Sequence, residues 1–193
     1  CWRRRPGPIP KPCRFARLFA CWAGIGEAVS GISSASVNPM AFDPKEHRTH
    51  AVRPFSDFKL GEVFRAPSRT MTSGIFAAFQ AASGDNHPVH YDIEYLKRLG
   101  HERLFAHGYM TLIQAAIGAS PLAHEMGEAL VGFLEQSSRF RAPVYEGDTL
   151  YPEFEITALE PGRTTGKMTV AVRIHNQDGV LVCDGEQSYL LRL

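Results

Sequence analysis

Gly108-Tyr109-Met110-Thr111-Leu112-Ile113-Gln114-Ala115-Ala116-Ile117-Gly118-Ala119-Ser120-Pro121-Leu122 is the longest helical candidate in the chain. Leu112, Ala115, Ala119 and Leu122 recur at spacings of three or four, and Ile113 and Ile117 make a second such row. Apolar side chains therefore lie on more than one face, and Ala115, Ala116, Gly118 and Ala119 are small. A helix of this kind is expected to be buried nearly all round. After it the period changes to two. Phe154 and Ile156 alternate with Glu153 and Glu155, and Met168, Val170, Val172 and Ile174 oppose Thr169 and Arg173. Ala129–Phe140 and Val180–Leu193 read as two more strands, with turns at Glu146-Gly147-Asp148, Pro161-Gly162 and Gln177-Asp178-Gly179.

Upstream of the helix the elements are shorter. Val63–Met71 reads as a strand and Ile75–Ala82 as one or two helical turns. Ser83–His90 is turn chemistry throughout, and Asp92–Leu99 is a short helix capped by Asp92 and stopped by Gly100. One long buried helix followed by a meander of four long antiparallel strands predicts an α+β fold, with the sheet wrapped around the central helix.

The 193 residues carry a formal net charge of +1, with 44% hydrophobic and 21% charged residues. That composition excludes a disordered or fibrous chain. No run reaches the roughly 18 apolar residues of a membrane-spanning helix. The near-neutral average hides a division. Residues 1–39 hold six basic groups against Glu27 alone, whereas residues 40–193 hold 15 basic and 19 acidic groups, a balance of −4. Both Trp and three of the four Cys lie in the first segment, and all eight His lie in the second. We therefore expect an N-terminal extension, 1–39, outside the fold, and one domain over 40–193.

Three readings of the extension stay open. It is additional sequence upstream of Met40, a targeting segment built on Phe15–Gly26 and Ser33–Ser36, or a nucleic-acid contact through Arg3–Arg5. Pro6, Pro8, Pro10 and Pro12 oppose an amphipathic helix, and three arginines without aromatic interleaving favour no nucleic acid. The Cys spacings match no zinc pattern. The expectation is an intracellular, cytoplasmic domain with no metal, no membrane partner and no nucleic-acid partner.

Two segments carry chemistry. In Ser83-Gly84-Asp85-Asn86-His87-Pro88-Val89-His90-Tyr91-Asp92, a carboxylate and an imidazole stand five residues apart on a chain that cannot continue a helix. Extended, such a span separates them by roughly 17 Å, so only turn chemistry brings them together. A carboxylate and a His facing one site suit general acid–base work on a bound water; a turn-capping Asp and a solvated loop His is the plainer reading. In Phe105-Ala106-His107-Gly108-Tyr109-Met110, a helix begins at a residue without a side chain. There a ligand carbonyl could approach a free N–H, or Gly108 could simply allow close helix–sheet packing.

Together these segments resemble the MaoC-like dehydratase family, the (R)-specific enoyl-CoA hydratases of the hotdog fold. Arg139-Phe140, Pro143-Val144 and Gly147-Asp148-Thr149-Leu150 add a strand–turn–strand similar to that of hotdog proteins. The resemblance runs from about Phe55 to the C-terminus. It implies a lyase that reversibly adds water to a trans-2-enoyl-CoA, giving an (R)-3-hydroxyacyl-CoA. Asp85 and His90 would be the catalytic pair, and the Gly108 N–H the oxyanion donor. Asn86, His87, Pro88, His107, Tyr109 and Met110 would line the substrate. Coenzyme A would be part of the substrate, with no separate cofactor, and the protein would be a homodimer or larger homo-oligomer. Two positions depart from the family pattern: His87 stands where Asn is common, and Ala116 where some hydratases carry Ser. An acyl-CoA thioesterase and a non-catalytic acyl-CoA-binding subunit share the fold and remain alternatives. His101, His107, His124 and His175 are expected at the surface or at caps, and Cys183 in the core.

Overall fold

The computed structural model describes residues 43–193, of which His47–Leu193 form one compact unit. What was read from residues 1–39 lies outside the described residues. Six strands build an antiparallel sheet: β1 (Val63–Arg65), β2 (Arg69–Thr70), β3 (Leu130–Phe140), β4 (Thr149–Pro161), β5 (Thr165–His175) and β6 (Leu181–Arg192). The order across the sheet is β1-β4-β5-β6-β3, with β2 pairing further along β4. Four α-helices accompany it: α1 (Ser73–Ser83), α2 (Ile93–Arg98), α3 (Gly108–Leu112) and α4 (Pro121–Met126).

The period-two pattern of the sequence becomes a one-sided sheet. Phe154, Ile156, Met168, Val170, Val172 and Ile174 are all buried, and β5 alternates half-buried and buried residues along its whole length. The inner face packs on Met110, Ala115, Leu122 and Met126 of the helical layer and on Phe55, Met71 and Phe76. Cys183 lies in this core, as expected. The α+β arrangement expected from the order of elements is the one observed.

Three details differ from the sequence expectation. The Val63–Met71 strand is two strands, because Ala66-Pro67 interrupts it: proline cannot donate to the ladder and constrains the residue before it. The four long strands are not one meander. Only β4, β5 and β6 follow in order, while β3 sits at the far edge beside β6.

Third, the long central helix is a chain of short turns. After α3 come 3-10 turns at Ile113–Ala115 and Ile117–Ala119, then α4. Ala116 (ψ 113°) and Ser120 (ψ 158°) take extended backbone between them. Pro121 accounts for the second break, since it disfavours helical geometry at Ser120 and opens α4 at its first turn. The layer is also not buried all round. Met110, Thr111, Gln114 and Ala115 face the sheet, whereas Tyr109, Ile113 and Ala116 are exposed.

Candidate active site

The site begins where α1 ends. Thr72 caps the helix start by accepting the Ile75 N–H at 3.4 Å. At the other end Gly84 takes left-handed backbone (φ +70°), a conformation that costs a side-chain-bearing residue more than glycine. That turn delivers Asp85 to the surface with its carboxylate half exposed, at 52% of the side chain. Ser83 fixes the exit: its hydroxyl donates to the Phe79 carbonyl at 2.7 Å and accepts the Asp85 N–H at 3.2 Å. The Asp85 carboxylate in turn accepts the His87 N–H at 3.2 Å.

Pro88–His90 then forms a 3-10 turn, with Pro88 at its first position. The His87 ring caps this turn by accepting the Val89 N–H at 3.3 Å. His87 is thereby committed to the local backbone, and its ring centroid lies 6.3 Å from that of His90. Asn86 is likewise engaged nearby, with Gln80 and with the Gly84 carbonyl at 3.1 Å. Asp92 caps α2 as expected, accepting the Tyr95 N–H at 2.9 Å.

His90 points the other way. Its Nδ1 lies 2.7 Å from the Phe105 carbonyl oxygen, which can only accept, so Nδ1 carries the hydrogen and Nε2 is left free. The ring stacks on that of His107, with centroids 3.5 Å apart and planes 25° from parallel. His107, immediately before α3, is 3% exposed. It is therefore neither at the surface nor capping through its side chain, contrary to expectation. Its Nε2 lies 3.1 Å from the Tyr91 hydroxyl, 3.3 Å from the Asp85 carbonyl oxygen and 3.6 Å from Asp85 Oδ2. Its Nδ1 is buried without a partner.

Asp85, His90 and His107 thus bring one donor atom each within 4.8 Å of one another. The turns join what an extended chain would hold apart. These are also the atoms that could hold a cation, but stacked imidazoles send their in-plane lone pairs side by side rather than toward one centre. Burial, and then the neighbouring His90, push His107 below the ordinary imidazole value, against the opposing pull of Asp85. Burial and the Asp85 charge push the Tyr91 phenol up, so it stays protonated.

Gly108 opens α3, and its N–H has no acceptor within that helix. A Cβ at this position would stand 3.1 Å from Cζ of the Phe140 ring. Glycine here therefore serves close packing against β3. Tyr109 is 75% exposed beside it, Met110 is buried in the core, and Pro88 is half-buried. Tyr91 has a place at the site that sequence reasoning missed. Its position next to His90 was visible, but only the fold turns its hydroxyl onto His107, 16 residues away.

A sheet wrapped on a helical layer, with a carboxylate and an imidazole meeting at the start of that layer, defines a hotdog-type domain. The chain belongs to the MaoC-like domain family, whose pattern matches residues 57–177. It is 34% identical over 114 residues to the (R)-specific enoyl-CoA hydratase of Aeromonas caviae, covering 57% of this chain and 78% of that protein. It is 28% identical over 134 residues to the mitochondrial 3-hydroxyacyl-[acyl-carrier-protein] dehydratase of Arabidopsis thaliana, covering 69% and 77%. A Mycobacterium tuberculosis protein described as having a double hotdog fold superimposes with a TM-score of 0.62 at 26% identity, covering 73% of this chain and 44% of that one.

Proposed function

We propose that the protein is a hydratase/dehydratase that reversibly adds water to a trans-2-enoyl thioester, giving the (R)-3-hydroxyacyl product, with coenzyme A as the carrier. The observation that carries this reading is the convergence of Asp85 and His90 on one spot close to the start of α3. Asp85 is the general base: it takes one proton from a water whose oxygen bonds to C3 of the enoyl group. The C2=C3 pair shifts to C2, and the thioester oxygen carries the resulting negative charge in the enolate. The Gly108 N–H faces that oxygen, where a preorganised donor lowers the barrier most. A proton then reaches C2 through the Asp85–His90 pair, so that one water is added overall. His90 shares the water through its free Nε2.

The exposed side of the helical layer supports a place for the acyl chain beside Tyr109 and Ile113. Asn86, His87 and Pro88 form the rim, and His107 and Met110 the floor. No separate cofactor or metal takes part in this scheme. A second copy of the chain pairs along β3. That edge strand carries exposed Val131, Phe133, Leu134 and Phe140, and open apolar edges favour strand pairing.

The test is a panel of short, medium, branched and carboxylated enoyl-CoA thioesters, with acyl-carrier-protein thioesters alongside, assayed with chelator present. The expected result is hydration of at least one enoyl-CoA to the (R)-alcohol, lost by about 10²–10⁴-fold in folded Asp85→Asn. Near-full turnover in that variant would sink the mechanism. Thiol release from saturated acyl-CoA would establish the thioesterase, and binding without turnover the non-catalytic subunit.

A further inference from the structure

We propose that His107 is a positioning residue: its neutral ring holds Asp85 through Nε2–H and holds His90 by stacking, so that the pair keeps one geometry. This rests on the hydratase reading of the same site. Three oxygens face Nε2. Two of them, the carbonyl and carboxylate oxygens of Asp85, can only accept, and the third, the Tyr91 hydroxyl, can do either. The hydrogen therefore sits on Nε2, and Nδ1 is a bare lone pair in the interior.

A buried polar atom without a partner destabilises the fold by its lost solvation, a cost which a phenylalanine of similar shape would not incur. The fold carries that cost at a position in direct contact with both members of the proposed pair. The two tightest contacts of the His90 ring are the Phe105 carbonyl at 2.7 Å and the His107 face at 3.5 Å; the His87 and Tyr91 rings stand edge-on at 6.3 and 6.0 Å. Removing one frees the ring to turn. The stack also separates the two imidazoles in role. Burial disfavours a positive charge on His107, and the neighbouring His90 disfavours it further, so a proton taken up by His90 is not passed on to His107. Tyr91, which accepts from Nε2–H, closes the far side and keeps its own hydrogen.

Two substitutions at His107, one double variant and one spectrum test this. His107→Phe keeps the ring and the burial and removes the donor; His107→Gln places an amide N–H near the former Nε2. On a good enoyl-CoA substrate, His107→Phe should lower kcat by about 30–100-fold with KM within about twofold, and His107→Gln should recover about tenfold of that loss. In the Asp85→Asn background, His107→Phe should cost nothing more, because it acts through Asp85. An unchanged kcat in folded His107→Phe, or full multiplicative loss in the double variant, overturns the proposal. Nitrogen-15 imidazole correlation spectra of the unaltered protein at pH 7 give a readout that needs neither turnover nor a folded variant. A neutral Nε2–H ring is expected for His107, and an Nδ1–H or charged ring overturns the assignment. If the unaltered protein hydrates nothing, the hydratase reading falls, while the spectrum still decides the hydrogen bonding.

Discussion

His87 and His90 stand three residues apart on one turn, yet their rings do different work. The His87 ring folds back to accept the Val89 N–H, whereas the His90 ring is pinned between a carbonyl and a second imidazole. The sequence puts an imidazole at each position close to Asp85, and the 3-10 turn at Pro88–His90 sends the two rings apart. Alanine variants compared side by side check the assignment. His90→Ala should lose about 10²–10³ in kcat, and His87→Ala less than about tenfold, seen as a change in rim contacts and turn stability. A loss confined to His87→Ala would reverse the roles. His107 marks the limit of residue-level reading. A histidine ahead of a glycine at a helix start looks like an ordinary surface group, and nothing in its neighbours announces that it is 3% exposed.

At the scale of elements, the connection from β3 to β4 is held by one buried carboxylate. Asp148 accepts the Tyr145 N–H at 2.8 Å, Arg103 Nη2 at 2.7 Å and Gln177 Nε2 at 3.2 Å. Burial alone would raise its pKa; the hydrogen bonds from Arg103, Tyr145 and Gln177 outweigh that and hold it below the ordinary carboxylate value. The sign follows. A group depressed in the folded state adds stability that is complete above its unfolded value near 4, and loses it as the pH falls through the lower folded value. Asp148→Ala should cost about 3 kcal/mol and lower Tm by roughly 6–12 °C at pH 7, with a shallower loss of stability in acid than the unaltered protein shows. Equal acid slopes in thermal melts of the two would remove Asp148 from this role. The sequence marked Glu146-Gly147-Asp148 as a turn but could not show that the Asp148 side chain ties that turn to two other segments, at Arg103 and Gln177. The long-helix expectation failed for a related reason. Apolar spacing records which residues face the sheet, and Ser120-Pro121 interrupts the backbone without disturbing that spacing.

Across the whole molecule, the formal charge of +1 is unevenly spread along the sequence: residues 40–193 carry −4 and residues 1–39 carry +5. Among the described residues, no helix is long and apolar enough to cross a membrane. The conspicuous surface feature is instead the β3 edge, where an 11-residue strand leaves one side unpaired and shows Phe133, Leu134 and Phe140. Light scattering should give a mass of about twice the 21.4 kDa chain, and Leu134→Lys should shift it toward the single-chain value. A monomer at all concentrations would rule out pairing along this edge.

By itself the sequence determined the α+β class, the one-sided strands and the family, because periodicity and residue type are local properties. The tertiary structure decided the rest. It placed β3 at the outer edge beside β6, divided the helical layer at Ala116 and Ser120, and closed Asp85, His90 and His107 to within 4.8 Å. These are distances across the chain, set by how turns and packed faces add up in space, and no spacing along the chain contains them.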